Sequence, residues 1–171
     1  MAIINLNNNS LLDVTELPSG ISGQNYPAFE AKRSGNQTAT AGVLTKMELD
    51  TVLYDTNSCY DNATNYRFTP TVAGKYYVYI NVYHNPSSTA NLLDYSARIH
   101  KNGSEADGAG EFFINTEGSS GTVEVHAQTG VRVIDMNGTT DYLEFYFVQS
   151  VSGGTATIAS RSFAGAYRIG D

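Results

Sequence analysis

The sequence has little cysteine and little positive charge. Cys59 is the one cysteine among 171 residues, so no disulfide can form within the chain and the fold does not depend on oxidation. A small packed side chain is the ordinary role of such a residue, and a reactive thiol is the alternative. Lysine and arginine number 10 against 17 aspartate and glutamate residues, a net charge of −7. Because nucleic acids and anionic membranes bind clustered cations, neither is an expected partner.

Long apolar runs are also missing. No stretch is long and apolar enough to cross a bilayer, so membrane insertion is not expected. The first residues lack a basic region followed by an apolar run, and the sequence therefore predicts no signal peptide. We expect synthesis in a cytoplasm, and release by lysis or within a particle if the protein is found outside a cell.

The residue patterns of common active sites are absent as well. His84, His100 and His126 lie far apart, and none has a cysteine or carboxylate at metal-ligand spacing. There is no Gly-x-Ser-x-Gly, no phosphate-binding glycine loop and no zinc-protease helix. We therefore predict a protein that is not an enzyme and has no cofactor.

Four carboxylates leave one alternative open. They lie near predicted turns, where carbonyl groups could complete a calcium site: Asp107, Glu111, Asp135 and Asp141. None has the spacing of a calcium-binding loop, and solvated turn residues are the simpler interpretation. No metal site is predicted, and bound calcium remains an alternative.

What the chain does contain is typical of an all-β domain: 12 tyrosines, 7 phenylalanines and 16 glycines. Short runs of β-branched and aromatic residues are separated by turn residues at the intervals of a sandwich. We predict strands near residues 26–33, 39–45, 48–55, 65–69, 74–84, 92–101, 111–116, 121–127, 131–136, 141–150 and 155–169. Asn102-Gly103 and Asn137-Gly138 predict tight hairpin turns.

The stretch from Thr45 to Leu53 is ambiguous. Thr45 with Glu48 imitates a helix capping box, and Leu49, Val52 and Leu53 have helical spacing. The β-branched residues and Tyr54 favour a strand, which is the interpretation we adopt.

The predicted strand 74–84 is apolar on both faces. One face carries Tyr76, Val78, Ile80 and Val82, and the other carries Tyr77, Tyr79, Asn81 and Tyr83. In 141–150, Leu143, Phe145 and Phe147 likewise alternate with Tyr142, Glu144 and Tyr146. An antiparallel strand with one solvent-exposed face should instead alternate apolar and polar residues. We therefore expect one face in the core and the other against a partner.

Residues 1–25 differ from the rest and are predicted to form an N-terminal docking arm. They are rich in asparagine and serine, yet carry seven aliphatic side chains: Ile3, Ile4, Leu6, Leu11, Leu12, Val14 and Leu17. A solvated tail rarely carries so many large aliphatics. A flexible terminus is the alternative to an assembly arm.

The order of motifs in residues 26–171 resembles the globular head of complement component 1q and its tumour-necrosis-factor-like relatives. Pro27-Ala-Phe-Glu-Ala31 matches the opening run, and Asp50-Thr-Val-Leu-Tyr-Asp55 resembles the second landmark. Ser162-Phe-Ala-Gly-Ala-Tyr167 resembles the closing strand. Five residues between the opening run and the closing strand fall close to the positions of the family's central signature: Asp55, Tyr60, Phe68, Gly74 and Tyr76. Tyr60 to Phe68 is one residue longer than usual, and Val78 and Ile80 replace aromatics.

This resemblance implies a jelly-roll β-sandwich of about ten antiparallel strands that forms a tight trimer. Aromatic residues of an inner sheet would pack around the threefold axis. The candidate interface residues are Tyr77, Tyr79, Tyr83, Tyr142, Tyr146 and Tyr167. For any one tyrosine, packing within its own chain is the alternative.

These observations together predict a virion structural protein of a bacteriophage. Its homotrimeric head would be anchored to a capsid, fibre or tail protein by the N-terminal arm and exposed at the virion surface. Capsid decoration and a fibre knob are both consistent with this prediction. The alternatives are an adhesion module that binds a host-surface glycan or protein, and a cellular ligand-binding protein.

Overall fold

The computed structural model describes residues 26–87, 91–116 and 123–171. The predicted docking residues between Ile3 and Leu17 lie outside the described residues, so the arm stays a prediction. Within the described residues no helix is long and apolar enough to span a membrane.

The described chain is built from short antiparallel strands and two single-turn 3-10 helices. The strands are β1 (Ala28–Lys32), β2 (Gln37–Ala39), β3 (Thr45–Lys46), β4 (Thr51–Asp55), β5 (Tyr60–Asp61), β6 (Arg67–Phe68), β7 (Gly74–His84), β8 (Leu92–Lys101), β9 (Ser104–Glu105), β10 (Glu111–Asn115), β11 (His126–Met136), β12 (Leu143–Val151), β13 (Ala156–Ile158) and β14 (Phe163–Gly170). The 3-10 turns are Thr56–Ser58 and Ala106–Gly108.

The strands form two sheets. The first sheet has the order β2-β13-β7-β14-β1-β4, and β11 pairs with β7. The second sheet has the order β10-β8-β12-β6-β5, with β3 on β12 and β9 on β8. This all-β, antiparallel arrangement confirms the predicted jelly-roll sandwich.

The core lies between the inner faces of the two sheets. Tyr76, Val78 and Ile80 of β7 are fully buried, as are Leu143, Phe145 and Phe147 of β12. Phe29 of β1 stacks on Tyr60 and Phe68, with ring centroids 4.6 and 4.5 Å apart. Because side chains alternate along a strand, the residues between these positions point away from the core, and this assigns the outer face of each sheet.

Several predicted strand limits are wrong, for local reasons. The predicted strand 39–45 is replaced by a turn at residues 41–42, between β2 and β3. The predicted strand 155–169 is interrupted between β13 and β14. The strand interpretation of Thr45 to Leu53 is confirmed at β3 and β4. Between them, the Gln37 side chain donates to the Lys46 carbonyl (2.7 Å) and accepts from the Glu48 amide (3.1 Å).

The last two residues of the predicted strand 121–127 and all of the predicted strand 131–136 belong to the single strand β11, His126–Met136. It runs through Gly130, which lies against the Phe112 ring. A Cβ at this position would stand 2.1 Å from Phe112 Cδ2. The glycine is therefore needed for close packing between the sheets, not for a turn.

The two Asn-Gly turns have different roles. Asn102-Gly103 links β8 to β9 as a hairpin, because Lys101 pairs with Ser104. The hairpin prediction for Asn137-Gly138 is wrong, since β11 pairs with β7 whereas β12 pairs with β8. This turn crosses from one sheet to the other. The Asn137 Oδ1 atom supports it by accepting from the amides of Thr139 and Asp141, at 2.9 and 3.0 Å.

Candidate functional site

The outer surface of the first sheet carries a continuous group of aromatic and aliphatic side chains. The strand register places Tyr77 opposite Tyr167, and Tyr79 opposite Gly165. On the other side of β7, Val131 pairs with Tyr79 and Val133 with Tyr77. Adding the neighbours on β14 and β4, we define the aromatic face as Tyr54, Tyr77, Tyr79, Val131, Val133, Phe163 and Tyr167.

The rings of the aromatic face contact one another. The Tyr77 ring lies 5.3 Å from that of Tyr167 and 6.3 Å from that of Tyr79. The Tyr79 ring meets Phe163 edge-on at 6.3 Å. These are ordinary distances for attractive aromatic pairs. Mutual contact leaves these four rings half-buried within one chain, so the face is a packed surface and not a set of free side chains.

Tyr79 has little space beneath it. A Cβ on Gly165 would lie 2.3 Å from the Tyr79 hydroxyl oxygen and 2.7 Å from the Phe29 carbonyl. A larger residue would have to push the ring outward or part the strands. The glycine in the closing motif therefore allows Tyr79 to lie flat across β14.

A hydrogen-bonded group occupies one margin of the face. The Tyr79 hydroxyl donates to Glu30 Oε2 at 2.5 Å, and the Tyr54 and Tyr79 hydroxyl oxygens are 3.3 Å apart. Burial, together with the hydrogen bonds to Glu30 and Tyr54, raises the pKa of Tyr79. Tyr79 therefore stays neutral over the physiological range, and its polar end is satisfied while its ring faces outward.

The remaining margins of the face are open. Val131 is 45% exposed, Val133 50% and Tyr54 43%. Single exposed aliphatics are common on protein surfaces. Here they continue a cluster of four half-buried rings, and such a patch is typical of an interaction site.

Four of the six predicted interface tyrosines lie on this side of the first sheet. Tyr77, Tyr79 and Tyr167 are in the aromatic face. Tyr83 lies further along β7, opposite Ala127, and the Arg161 guanidinium lies 5.2 Å from its ring centroid. Tyr83 is therefore at the end of the surface and already has a cationic neighbour.

The other two predicted tyrosines are not brought to this surface. Tyr146 is in β12, and Tyr142 directly precedes that strand, so both belong to the second sheet. The six candidates are therefore divided between the two sheets, and their role in an interface stays a prediction. On the second sheet the neighbours are charged: the Arg67 guanidinium lies 4.1 Å from the Tyr142 ring centroid, and Lys46 Nζ lies 5.7 Å from that of Tyr146.

A buried carboxylate organises this polar surface. Glu144 Oε1 accepts from Lys46 Nζ (2.7 Å) and Arg67 Nη2 (3.1 Å), and Oε2 accepts from the Tyr146 hydroxyl (3.1 Å). Burial favours the protonated acid, but the Lys46 hydrogen bond and charge, the Tyr146 hydrogen bond and the Arg67 charge together lower the pKa of Glu144. Burial, then the Glu144 charge, raises the pKa of Tyr146 to about 12.

The histidines and turn carboxylates do not converge. Among the described residues no three His, Cys, Asp or Glu side chains form a metal-binding group. His84 and His126 are cross-strand neighbours, but His100 lies on the second sheet. Three of the four proposed calcium ligands are paired with separate cations: Asp135 with Lys75, Asp141 with Lys101 and Glu111 with Arg98. Asp107 is exposed in the second 3-10 turn.

Sequence reasoning missed several members of the aromatic face: Tyr54, Phe163, Val131 and Val133. The signal that identifies them is strand pairing. Once β7 is aligned with β14 and β11, alternation places Phe163, Val131 and Val133 on the same side as Tyr77. The residue pattern of a single strand does not show which other strands it pairs with.

Comparison with known proteins supports the fold. No protein-family model matches the chain, and no curated protein matches it by sequence. Among solved structures, the Eiger TNF from S. frugiperda is 16% identical, with a TM-score of 0.51, over 84% of this chain and 91% of that one. Murine APRIL is 8% identical, with a TM-score of 0.56, over 83% and 98%. PRD1 vertex protein P5 is 15% identical, with a TM-score of 0.53, over 83% and 96%.

At these identities the similarity defines the fold alone. The chain has the jelly-roll fold of tumour-necrosis-factor-like proteins, and PRD1 vertex protein P5 has the same architecture.

Proposed function

We propose that this chain is a non-enzymatic structural protein whose residues 26–171 form a homotrimeric head. The aromatic face carries this proposal. Its rings and valines form an apolar surface on a protein with a net charge of −7, and none of the described strands covers it. A second copy of the same sheet is an apolar partner of matching chemistry, and the tumour-necrosis-factor-like fold implies three copies.

We propose further that the trimer is part of a virus particle of bacteriophage type. The similarity to PRD1 vertex protein P5 supports this at the level of fold. Residues 1–25 would dock on a capsid, fibre or tail protein, and the head would face outward at the virion surface. Decoration of the shell and a knob on a fibre are both consistent with this arrangement.

Removing two central rings tests the assembly. In a Tyr77→Ser, Tyr167→Ser double variant, the 5.3 Å ring contact is lost and two hydroxymethyl groups replace it. We expect light scattering after gel filtration to give three times the mass of one chain for the unmodified protein. The double variant should give the mass of one chain, with an unchanged β-type circular dichroism spectrum.

Phe113→Ser provides the matched control. Phe113 is 56% exposed in β10 of the second sheet, so it removes an aromatic ring from the other side of the sandwich. The control should remain trimeric. An unmodified protein with the mass of one chain, or a folded double variant that is still trimeric, would contradict the proposal.

A further inference from the structure

A small polar cavity lies on the second sheet, on the side opposite the aromatic face. It has a volume of about 280 Å³ and is formed by the β5–β6 ribbon and the residues that flank it. Its polar lining residues are Ser58, Asp61, Asn65, Arg67 and Thr69. Pockets for drug-sized molecules begin near ~300 Å³, so this cavity suits a small ligand.

The cavity has a rigid cationic wall. Arg67 is held by stacking on Tyr142, 4.1 Å from its ring centroid, and by its 3.1 Å hydrogen bond to Glu144. Glu144 is itself only 3% exposed, so the guanidinium is held by a buried acceptor. A guanidinium held in one orientation presents its N–H donors in a fixed geometry, which is suited to recognising two adjacent oxygen atoms.

Asp61 pairs with Arg67 across the β5–β6 ribbon and fixes the neighbouring wall of the cavity. Asp61 accepts from the backbone amides of Ala63, Thr64 and Asn65 at 2.9–3.0 Å, and from the Asn65 side chain at 2.9 Å. The Asn65 carbonyl in turn accepts from Lys46 Nζ at 3.2 Å. The loop that joins β5 to β6 is therefore held in one conformation by its own polar groups.

The charges around the cavity balance. Lys46 and Arg67 are the cations, and Asp61 and Glu144 are the carboxylates. An anion would gain little net attraction here, because each cation already has an anionic neighbour. The Ser58 and Thr69 hydroxyls add groups that can both donate and accept. Such a lining suits an uncharged molecule with several hydroxyl groups.

We propose that this cavity binds one neutral sugar ring, with the Arg67 guanidinium and the Thr69 hydroxyl hydrogen-bonding to adjacent hydroxyl groups. The site lies within one chain and on the sheet that a trimer formed through the aromatic face leaves exposed. The assembled head would therefore present three such sites outward. Sugar binding goes beyond the proposed assembly and does not depend on it.

The test uses the full chain and defined probes. Nitrogen–proton correlation spectra are recorded while methyl glycosides of glucose, galactose, mannose and N-acetylglucosamine are added in turn, with glucuronate and inorganic phosphate for comparison. We expect at least one neutral glycoside to shift amide signals between residues 58 and 69. Absence of any shift with all four glycosides, or a stronger response to glucuronate or phosphate, would overturn the proposal.

Two variants and a control assign the effect to the cavity. Arg67→Lys keeps the charge but removes the guanidinium, and Thr69→Val removes a hydroxyl at nearly constant volume. Each should weaken glycoside binding about tenfold, which is the net contribution of one hydrogen bond. Arg98→Lys, which lies on the same sheet and is paired with Glu111, should bind as the unmodified protein does. Equal weakening by Arg98→Lys, or full binding by both cavity variants, would contradict the assignment.

Light scattering on the same samples separates the two proposals. A single-chain mass with intact glycoside binding would contradict the assembly alone, whereas a trimer without binding would contradict the sugar site alone.

Discussion

His84 is a titratable side chain buried completely in the sandwich. It faces Gln128, with Nε2 and Oε1 3.3 Å apart, and its ring centroid lies 4.7 Å from that of Tyr95. His126 lies opposite it across the strand pair and is the nearby titratable group on β11. Burial, the main cause, lowers the pKa of His84 to about 4. The folded protein therefore holds this ring in its neutral form.

This burial predicts a loss of stability in weak acid. Below about pH 6.5 the unfolded chain gains a proton at His84 that the folded chain does not, so the free energy of unfolding falls as the pH decreases towards 4. The loss is up to about 1.4 kcal/mol per pH unit. In His84→Gln this contribution should disappear.

Urea unfolding of both proteins between pH 7.5 and 5 measures the effect. The difference in unfolding free energy between His84→Gln and the unmodified protein should be constant above pH 7 and change in favour of the variant below pH 6.5. A difference that stays constant down to pH 5 would be inconsistent with a buried neutral His84.

At the scale of elements, β14 depends on a glycine for its place under Tyr79. Gly165→Ala would put a methyl group against the Tyr79 hydroxyl and the Phe29 carbonyl. The strand would have to shift, at a cost of about 1–3 kcal/mol. Gly35→Ala is the matched control, since a Cβ there meets no atom within 4 Å. Thermal unfolding should show a lower midpoint for Gly165→Ala only, and equal midpoints would argue against the tight contact.

Element pairing also marks the limit of what the sequence predicts. The alternation in residues 74–84 correctly predicts β7 and its core side. The same alternation in 141–150 predicts β12, yet its tyrosines have charged neighbours whereas those of β7 have aromatic ones. Tyrosine suits both surroundings because its ring is apolar and its hydroxyl is polar. The residues that surround a tyrosine, such as Lys46 beside Tyr146, come from distant parts of the chain. The local sequence therefore does not show whether those surroundings are charged or aromatic.

At the scale of the whole molecule, the two outer surfaces have different chemistry. The first sheet carries aromatic rings and valines, and the second carries Glu144, Lys46 and Arg67 with their tyrosine neighbours. The turn at Asn137 appears as a hairpin in the sequence, but it connects these two sheets. Local residue types do not specify this crossing, because the same Asx-type hydrogen bonds support either connection.

The predicted docking arm, residues 1–25, leads to a testable prediction about particle association. Under the proposed virion role, deletion of residues 1–25 should abolish association with purified particles from the source organism while the remaining head stays trimeric. The physical reason is that every residue of the aromatic face comes from the described part of the chain and none from residues 1–25. Co-sedimentation with particles measures the first property and light scattering the second. A truncated head that still sediments with particles would rule out the arm as the anchor.

The position of β14 between β1 and β7 has a consequence for synthesis. β14 forms ladders with both neighbours, so until residues 163–170 have left the ribosome, β1 and β7 each have an edge without its partner. During that interval the tyrosines of β7 are accessible to other nascent chains, and unpaired edges of this kind promote aggregation. Yield of soluble protein should therefore depend on how quickly translation is completed and how crowded the nascent chains are.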